Sequence, residues 1–435
     1  MSGLADAPAP EFAAELVRRA ADGGADATQV TAVGVDCFEI DFSERKVDLL
    51  RSTANETTTI LVLRDGKRGS ATLNGRDEEA VEAALRSAVL AAEAGLADPA
   101  NAVADAPSLP PRRHGVEAPD RDTMIATVLD YAGELNTRYP LIRTRNSTYA
   151  FFAKDTSFAN SLGVQQQQRR AWYQFGAMFS AKDGARATSF NYSGAASYAP
   201  FGRLLAVGTV GRLIEETLRS FDARPVPEKF IGDVILTPDC VHHLMFVLAR
   251  ALGGYELLAG TSPYRDKAGE PIASPLFSLL NRPLAADFPE GSDFDAFGIP
   301  TVDVDIVKDG RLQNFLVDFY VARKLGLRDT AGVWNFVVPS GDRSLDEIVA
   351  GTERGIILSR FSGGNPNSNL EFSGIAKNSF YIEDGEIRHA LSETMVTGNL
   401  QDLLRNIRAV SREQVNFGDH AYPYLAASGV TISAK

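Results

Sequence analysis

Residues 232–254, GDVILTPDCVHHLMFVLARALGG, commit this chain to a buried strand that runs straight into a capped helix. The apolar run Val234-Ile235-Leu236 reads as a strand with no polar face. Thr237 is a good N-cap, and Pro238 stands at the first helical position, where its missing N–H costs nothing. Val241, Leu244, Leu248 and Leu252 then form a stripe that buries one side of the helix. Two of the five histidines, His242 and His243, sit on this helix. A helical zinc hydrolase site needs two ligands on one face and a carboxylate that works on the bound water. Adjacent histidines are separated by about 100° of helical rotation, a poor arrangement for chelating one ion. One turn on stand Met245, Phe246 and Val247, and Leu244 rather than a glutamate follows His243. A packed pair is the expected state of His242 and His243, with a metal role as the weak alternative.

The rest of the chain reads as an α+β protein in three parts. Residues 1–98 form an N-terminal αβ domain. Phe12, Leu16 and Ala20 mark a helix that stops at Gly23-Gly24. Val33, Val35 and Cys37 then share one strand phase and Phe38, Ile40 and Phe42 the other, which predicts a bulge or twist near Cys37. Residues 57–73 predict a hairpin turning at Asp65-Gly66. A helix capped by Asp77, with Val81, Leu85, Ala88, Val89 and Ala92 inward, ends at Gly95. Residues 99–119 are a proline-rich linker, in which His114 is expected to face solvent.

The middle domain, 120–224, opens on a helix with Met124, Val128, Leu129 and Leu135 inward and closes on a helix over 201–219. Between them the run Gln165–Gln168 reads as a solvated strand edge. Residues 225–435 form a larger, β-rich C-terminal domain with hairpins expected at Asp309-Gly310 and Asp384-Gly385.

Charge and composition exclude several classes of function. With 44 Lys+Arg against 56 Asp+Glu the net charge is −12, which disfavours a nucleic-acid or anionic-membrane surface. The start MSGLADAPAPEF has no signal-peptide pattern, and no apolar stretch approaches a spanning length, so a cytoplasmic protein is expected. Cys37 and Cys240 imply neither a disulfide framework nor a cysteine-rich zinc site. His114, His389 and His420 belong to no ligand spacing.

Two loops are candidates for contact with a peptide. Asp293 and Asp295 stand two apart in the glycine-bounded loop 291–300, though without the ladder of a calcium loop. Asn365, Asn367 and Asn369 crowd the polar loop 361–369. Local capping of backbone groups is the simpler use for both sets. No serine stands in a nucleophile elbow and no phosphate-binding loop is present, so these residues alone define no chemistry.

Taken in order along the chain, the segments resemble the TldD/PmbA family, its TldE (PmbA) branch more than TldD. The resemblance covers nearly the full length. It rests on Phe38-Glu-Ile-Asp41 with Val47-Asp-Leu49, on Gly66-Lys-Arg-Gly-Ser-Ala-Thr72, and on Ala159-Asn-Ser-Leu-Gly-Val164. The C-terminal part carries most of it, through Asp233–Pro238, Gly291–Pro300, Lys308–Leu312, Asn367–Leu370, Phe380–Ile387 and Val396–Asn399. The loop Asp293-Phe-Asp-Ala-Phe-Gly298 and the stretch Arg328–Asn335 depart from the TldE pattern.

The resemblance implies a metallopeptidase system for proteolysis or trimming of unstructured peptides. TldD-type subunits carry a His-Glu-x-x-x-His zinc helix, aided by a later cysteine, whereas TldE-type subunits lack it and pair with TldD as a heterodimer. An older label, modulator of DNA gyrase, also attaches to the family, and the acidic balance gives it no support as direct DNA contact. In this chain His243 matches the first histidine of that motif, Leu244 stands at the glutamate and Leu248 at the second histidine. No catalytic or metal residue transfers, so zinc is expected on a TldD-like partner. The alternatives are a stand-alone metallopeptidase with a non-standard site at His242 or His243, and a non-enzymatic peptide-binding homodimer.

Overall fold

The computed structural model of the chain describes residues 10–434 apart from 45 and 331. Its first half is organised by one sheet. The strands are β1 (Ala27–Ser43), β2 (Lys46–Arg64), β3 (Lys67–Asn74), β4 (Arg112–His114), β5 (Ile142–Asn160), β6 (Gln165–Asp183), β7 (Arg186–Ala187) and β8 (Asn191–Ser197). They lie in the order β3-β2-β1-β5-β6-β4, with β7 and β8 also on β6. Around them come α1 (Pro10–Asp22), α2 (Glu78–Ala94), α3 (Arg121–Arg138) and α4 (Val210–Arg219).

Strand pairing crosses the boundary drawn between the N-terminal and middle domains. β1 pairs antiparallel with β5 from Gln29↔Asn160 to Phe42↔Ser147, so both segments share a single sheet. A long strand needs partners on both edges, and periodicity does not say which distant strand supplies them.

All four helices cover the same face of this sheet. At one end α1 and α2 bury Leu16, Ala20, Val81, Leu85 and Ala88 against Val30, Ile60 and Val62. At the other end α3 and α4 bury Met124, Val128, Leu135, Leu213 and Ile214 against Phe38, Ile40, Phe151, Tyr173 and Phe175. The alternate residues therefore point to the opposite face: Val33 opposite Thr156, Thr156 opposite Gln168, and Lys154 opposite Arg170.

Several local expectations need correcting. The strand irregularity lies between Asp41 and Phe42, not near Cys37: the strand runs regularly there, with Phe38, Ile40 and Phe42 buried under the helices and Val33, Val35 and Cys37 half-buried on the opposite face. Leu129 is exposed rather than inward, while Met124, Val128 and Leu135 are buried as read. The helix over 201–219 is split into a short turn, Leu204–Ala206, and α4. Gly208, at φ +52°, lies between them in the left-handed region and packs against the Gly194 carbonyl. The linker is not free: Val103 packs on Leu61 and Leu63, and β4 pairs parallel with β6.

The Gln165–Gln168 run is likewise no solvated edge. It opens β6, and Gln166 and Gln168 are 2% and 6% exposed. Gln166 donates to the carbonyls of Pro107 and Gly298, and Gln168 donates to Ser292 Oγ. Burial of these amides is sustained by the hydrogen bonds that satisfy them.

The C-terminal half is a thirteen-stranded sheet around β9 (Phe230–Leu236). β9 lies between Arg354–Leu358, parallel to it, and Ala421–Ala434, antiparallel. Flanked on both edges, its Val234, Ile235 and Leu236 are fully buried. α5 (Pro238–Ala251) follows directly, with the Thr237 hydroxyl accepting from the Cys240 N–H. Both expected hairpins are present, with Asp309 at φ +46° and Asp384 at φ +53° in their turns. No helix among the described residues is long and apolar enough to cross a membrane.

Gly69 marks the closest approach of sheet and helix. A Cβ there would stand 2.1 Å from Ala92 N and 2.2 Å from Ala88 O of α2. Gly69→Val should therefore cost on the order of 3 kcal/mol, read as a lowered urea midpoint. A midpoint equal to that of the parent protein would show that α2 is free to move away.

Candidate functional site

The uncovered face of the first sheet meets the C-terminal domain through the loop 291–300. Asp293, 3% exposed, is the centre of the contact. Its carboxylate accepts from Arg170 Nη2 at 3.1 Å and Arg112 Nη1 at 3.4 Å, and meets His114 Nε2 at 2.9 Å. Its own N–H donates to Gln168 Oε1 at 2.9 Å. His114 is thus half-buried in an ion network rather than free in a linker, because β4 draws it onto the sheet. Asp295 Oδ1 accepts from Phe297 N at 2.8 Å and Ile299 N at 2.9 Å, the local capping role.

Asn365, Asn367 and Asn369 lie on an exposed loop. Asn367 Oδ1 accepts from Asn369 N at 2.9 Å and Glu371 N at 3.0 Å, and the Asn369 carbonyl accepts from Asn399 Nδ2 at 2.9 Å. These asparagines hold their own turn, and neither they nor Asp293 lines the main cavity.

That cavity, of about 790 Å³, lies between β6 and β8 on one side and the start of α5 on the other. Asn191 to Ala196 of β8 line it along nearly the whole strand. β8 pairs with β6 only. Off that pairing it makes one backbone bond among the described residues, from Ala196 N to the Phe417 carbonyl at 2.8 Å. α5 contributes Asp239, Cys240, His242, His243 and Phe246, and the C-terminal domain adds Glu290, Arg360, Asp419 and His420.

The histidines meet in an aromatic stack. The rings of His242 and His420 are 4.0 Å apart at 22°, and Phe417 and Tyr422 flank His420 at 4.7 Å and 4.9 Å. His242 keeps surface open to the cavity but is otherwise walled in by protein. This desolvation, with the His420 ring beside it, lowers its pKa to about 4, so it is neutral at pH 7. Asp419 contacts the His420 Nδ1. Burial, reinforced by the Asp419 charge, pushes the Glu290 carboxyl up to about 7. Asp239 is held by Arg212 at 2.8 Å and Thr209 at 2.7 Å. Burial drives the Cys240 thiol far above its ordinary range, leaving it an inert core residue.

These residues do not fit a zinc ion. Imidazole lone pairs lie in the ring plane, so two rings stacked face to face do not converge on one metal. Leu244 and Leu248 are buried in the core, and beyond the histidine pair the cavity side of α5 carries Phe246. Among the described residues no three potential ligands are grouped for a metal. Sequence reasoning placed His242 and His243 but missed His420, Asp419, Glu290 and β8. No spacing signal could have found them, because separate strands and loops bring them to one wall.

Comparison with known proteins agrees with this architecture. Residues 230–434 match the PmbA/TldA metallopeptidase C-terminal domain. The metalloprotease PmbA homologue of Haemophilus influenzae is 26% identical over 424 residues, covering 93% of this chain and 90% of that one. Metalloprotease PmbA of Escherichia coli is 28% identical over 186 residues, covering 40% of this chain and 41% of its own. The crystal structure of TldE from Thermococcus kodakarensis shares the fold with a TM-score of 0.82 at 20% identity, covering 98% of this chain and 100% of that one. Fold and sequence together define a metallopeptidase-like protein of mixed α/β architecture. Its C-terminal part carries the PmbA/TldA metallopeptidase C-terminal domain, and over nearly its full length the chain is similar to a PmbA homologue.

One buried acid gives the structure a pH signature. Burial pushes the Asp295 carboxyl from 3.8 up to about 7, and its Oδ2 has no hydrogen-bond partner among the described residues. A raised folded-state pKa contributes stability in full below pH 3.8 and loses it as pH climbs toward 7. Asp295→Asn keeps an Oδ1 acceptor for the two amides and removes the titration. Denaturation at several pH values should show the variant gaining on the parent by a few kcal/mol, on that order, as pH rises through this window. Parallel pH profiles for both proteins would place the ionised acid in a solvated site instead.

Proposed function

We propose that this chain is a TldE/PmbA-like subunit that holds an extended, unstructured peptide, while a TldD-like partner supplies the zinc and the hydrolytic step. The observation that carries the reading is the pairing of a one-sided strand with a metal-poor helix across one cavity. β8 lines that cavity and is paired by β6 on a single edge. An extended peptide can add to such an edge through main-chain hydrogen bonds, with affinity that depends little on its sequence. Opposite β8, α5 presents His242, stacked on His420 of the C-terminal domain, and Phe246 where a hydrolase helix would present ligands. The names of its relatives, metalloprotease PmbA and TldE, support the same system. This chain's own residues then bind and orient the peptide, and a metal held by the partner would supply the Lewis acid for hydrolysis.

A second reading, a stand-alone metallopeptidase, draws on the gathering of His242, His420, Asp419 and Glu290 in one cavity. The two are separated by purifying the chain alone and with a TldD-like protein from the same source. Zinc should follow the partner, peptide cleavage should need both chains, and a chelator should abolish it. Stoichiometric zinc and cleavage in the chain alone would sink the first reading. The holding role has its own measurement: a bound peptide should slow hydrogen exchange at β8 amides not bonded to β6. Unchanged exchange along Asn191–Ala196 at saturating peptide counts against it.

A further inference from the structure

The open face of the first sheet carries a second cavity, of about 550 Å³. Lys154 and Thr156 of β5, Arg170 and Trp172 of β6, and the loop from Glu290 to Asp295 form its walls. Glu290 lines both cavities, so the two adjoin at its side chain. Polar atoms without partners gather here. Thr156 Oγ1, Arg170 Nε, Trp172 Nε1 and Asp295 Oδ2 are buried and have no hydrogen-bond partner among the described residues. Their residues are 6%, 5%, 9% and 6% exposed, so bulk solvent does not reach them freely. A native interior satisfies nearly all such groups, and four of them just beneath the wall of one cavity mark a place where polar contacts are left open.

The balance of these groups selects the sign of that ligand. Arg170 Nε and Trp172 Nε1 are donors only, and Thr156 Oγ1 can donate. Lys154 adds an amine that forms no ion pair among the described residues; burial lowers its pKa from the ordinary lysine value, and the Glu290 charge opposes that fall. Two groups oppose an anion, Glu290 and Asp295. Burial pushes both carboxyls up to about 7, which reduces the negative charge they present at and below neutral pH. Asp293, the remaining acid of the loop, is already paired with the guanidinium groups of Arg170 and Arg112.

We propose that this second cavity binds a carboxylate, either the C-terminus or an acidic side chain of the peptide held in the adjoining cavity. The inference rests on the peptide-holding reading above, and its test separates the two. The chain has two tryptophans, Trp172 and Trp334, so their indole N–H signals can be followed individually in the nitrogen-15-labelled protein. Titration with acetate alone should shift Trp172 saturably and leave Trp334 in place. Lys154→Met should weaken acetate binding about tenfold, the loss of one charge-assisted contact, and Lys154→Arg should retain it.

Peptides then identify the source. A free-acid peptide that outbinds its C-terminally amidated form assigns the site to the C-terminus. An amidated peptide that binds well only when it carries an aspartate assigns it to a side chain. Absence of an acetate-dependent shift at Trp172, or an undiminished shift in Lys154→Met, overturns the proposal. Lys154-dependent acetate binding with no peptide binding upholds the carboxylate site and overturns the peptide-holding reading.

Discussion

The Asp293 carboxylate, buried against Arg170, Arg112 and His114, is the interaction on which the working shape of this molecule depends. It ties the C-terminal domain's loop 291–300 to the bare face of the first sheet. Removing one partner of a buried ion network leaves an uncompensated charge at a cost of about 3–5 kcal/mol. The geometry is correspondingly over-determined. Gln168 bonds both the Asp293 N–H and Ser292 Oγ, and Gln166 bonds the Gly298 carbonyl. Each contact crosses from β6 to the same loop.

This seam determines where open space is left. Helices pack on one face of the first sheet at both of its ends, which leaves the other face and the β8 edge to meet a ligand. The C-terminal loop closes over part of that face and leaves two adjoining cavities separated by Glu290. The larger cavity is bordered by α5 and by a strand that, off its β6 pairing, makes one backbone bond among the described residues. The smaller is bordered by Lys154, which forms no ion pair among the described residues, and by residues with buried donors. A chain that presents strand edge, aromatic wall and cation in sequence is suited to holding an extended polymer rather than a compact small molecule.

α5 shows how a helix can keep its fold while its chemistry changes. Its cap, its proline and its apolar stripe are all satisfied locally or by the core, independent of any metal. Leu244 and Leu248 add to core burial, on the order of 2 kcal/mol for each side chain removed from water. His242 is retained as a neutral ring stacked on His420, a role that needs surface and shape but no ligand geometry.

Much of the local structure was legible from residue order. The Thr237-Pro238 cap, the buried run Val234–Leu236, the Asp77 cap and the Asp-Gly hairpins follow from rules that act within a few residues. So did the weakness of His242 and His243 as a chelating pair, which rests on helical rotation alone. What the chain order left open was which strands meet. β1 joins β5 across the proline-rich segment, the glutamine run turns inward because distant carbonyls receive it, and His420 reaches His242 from a separate strand end. Hydrogen-bond partners and cavity walls of this kind come from opposite ends of the sequence, and only the packed tertiary structure decides them.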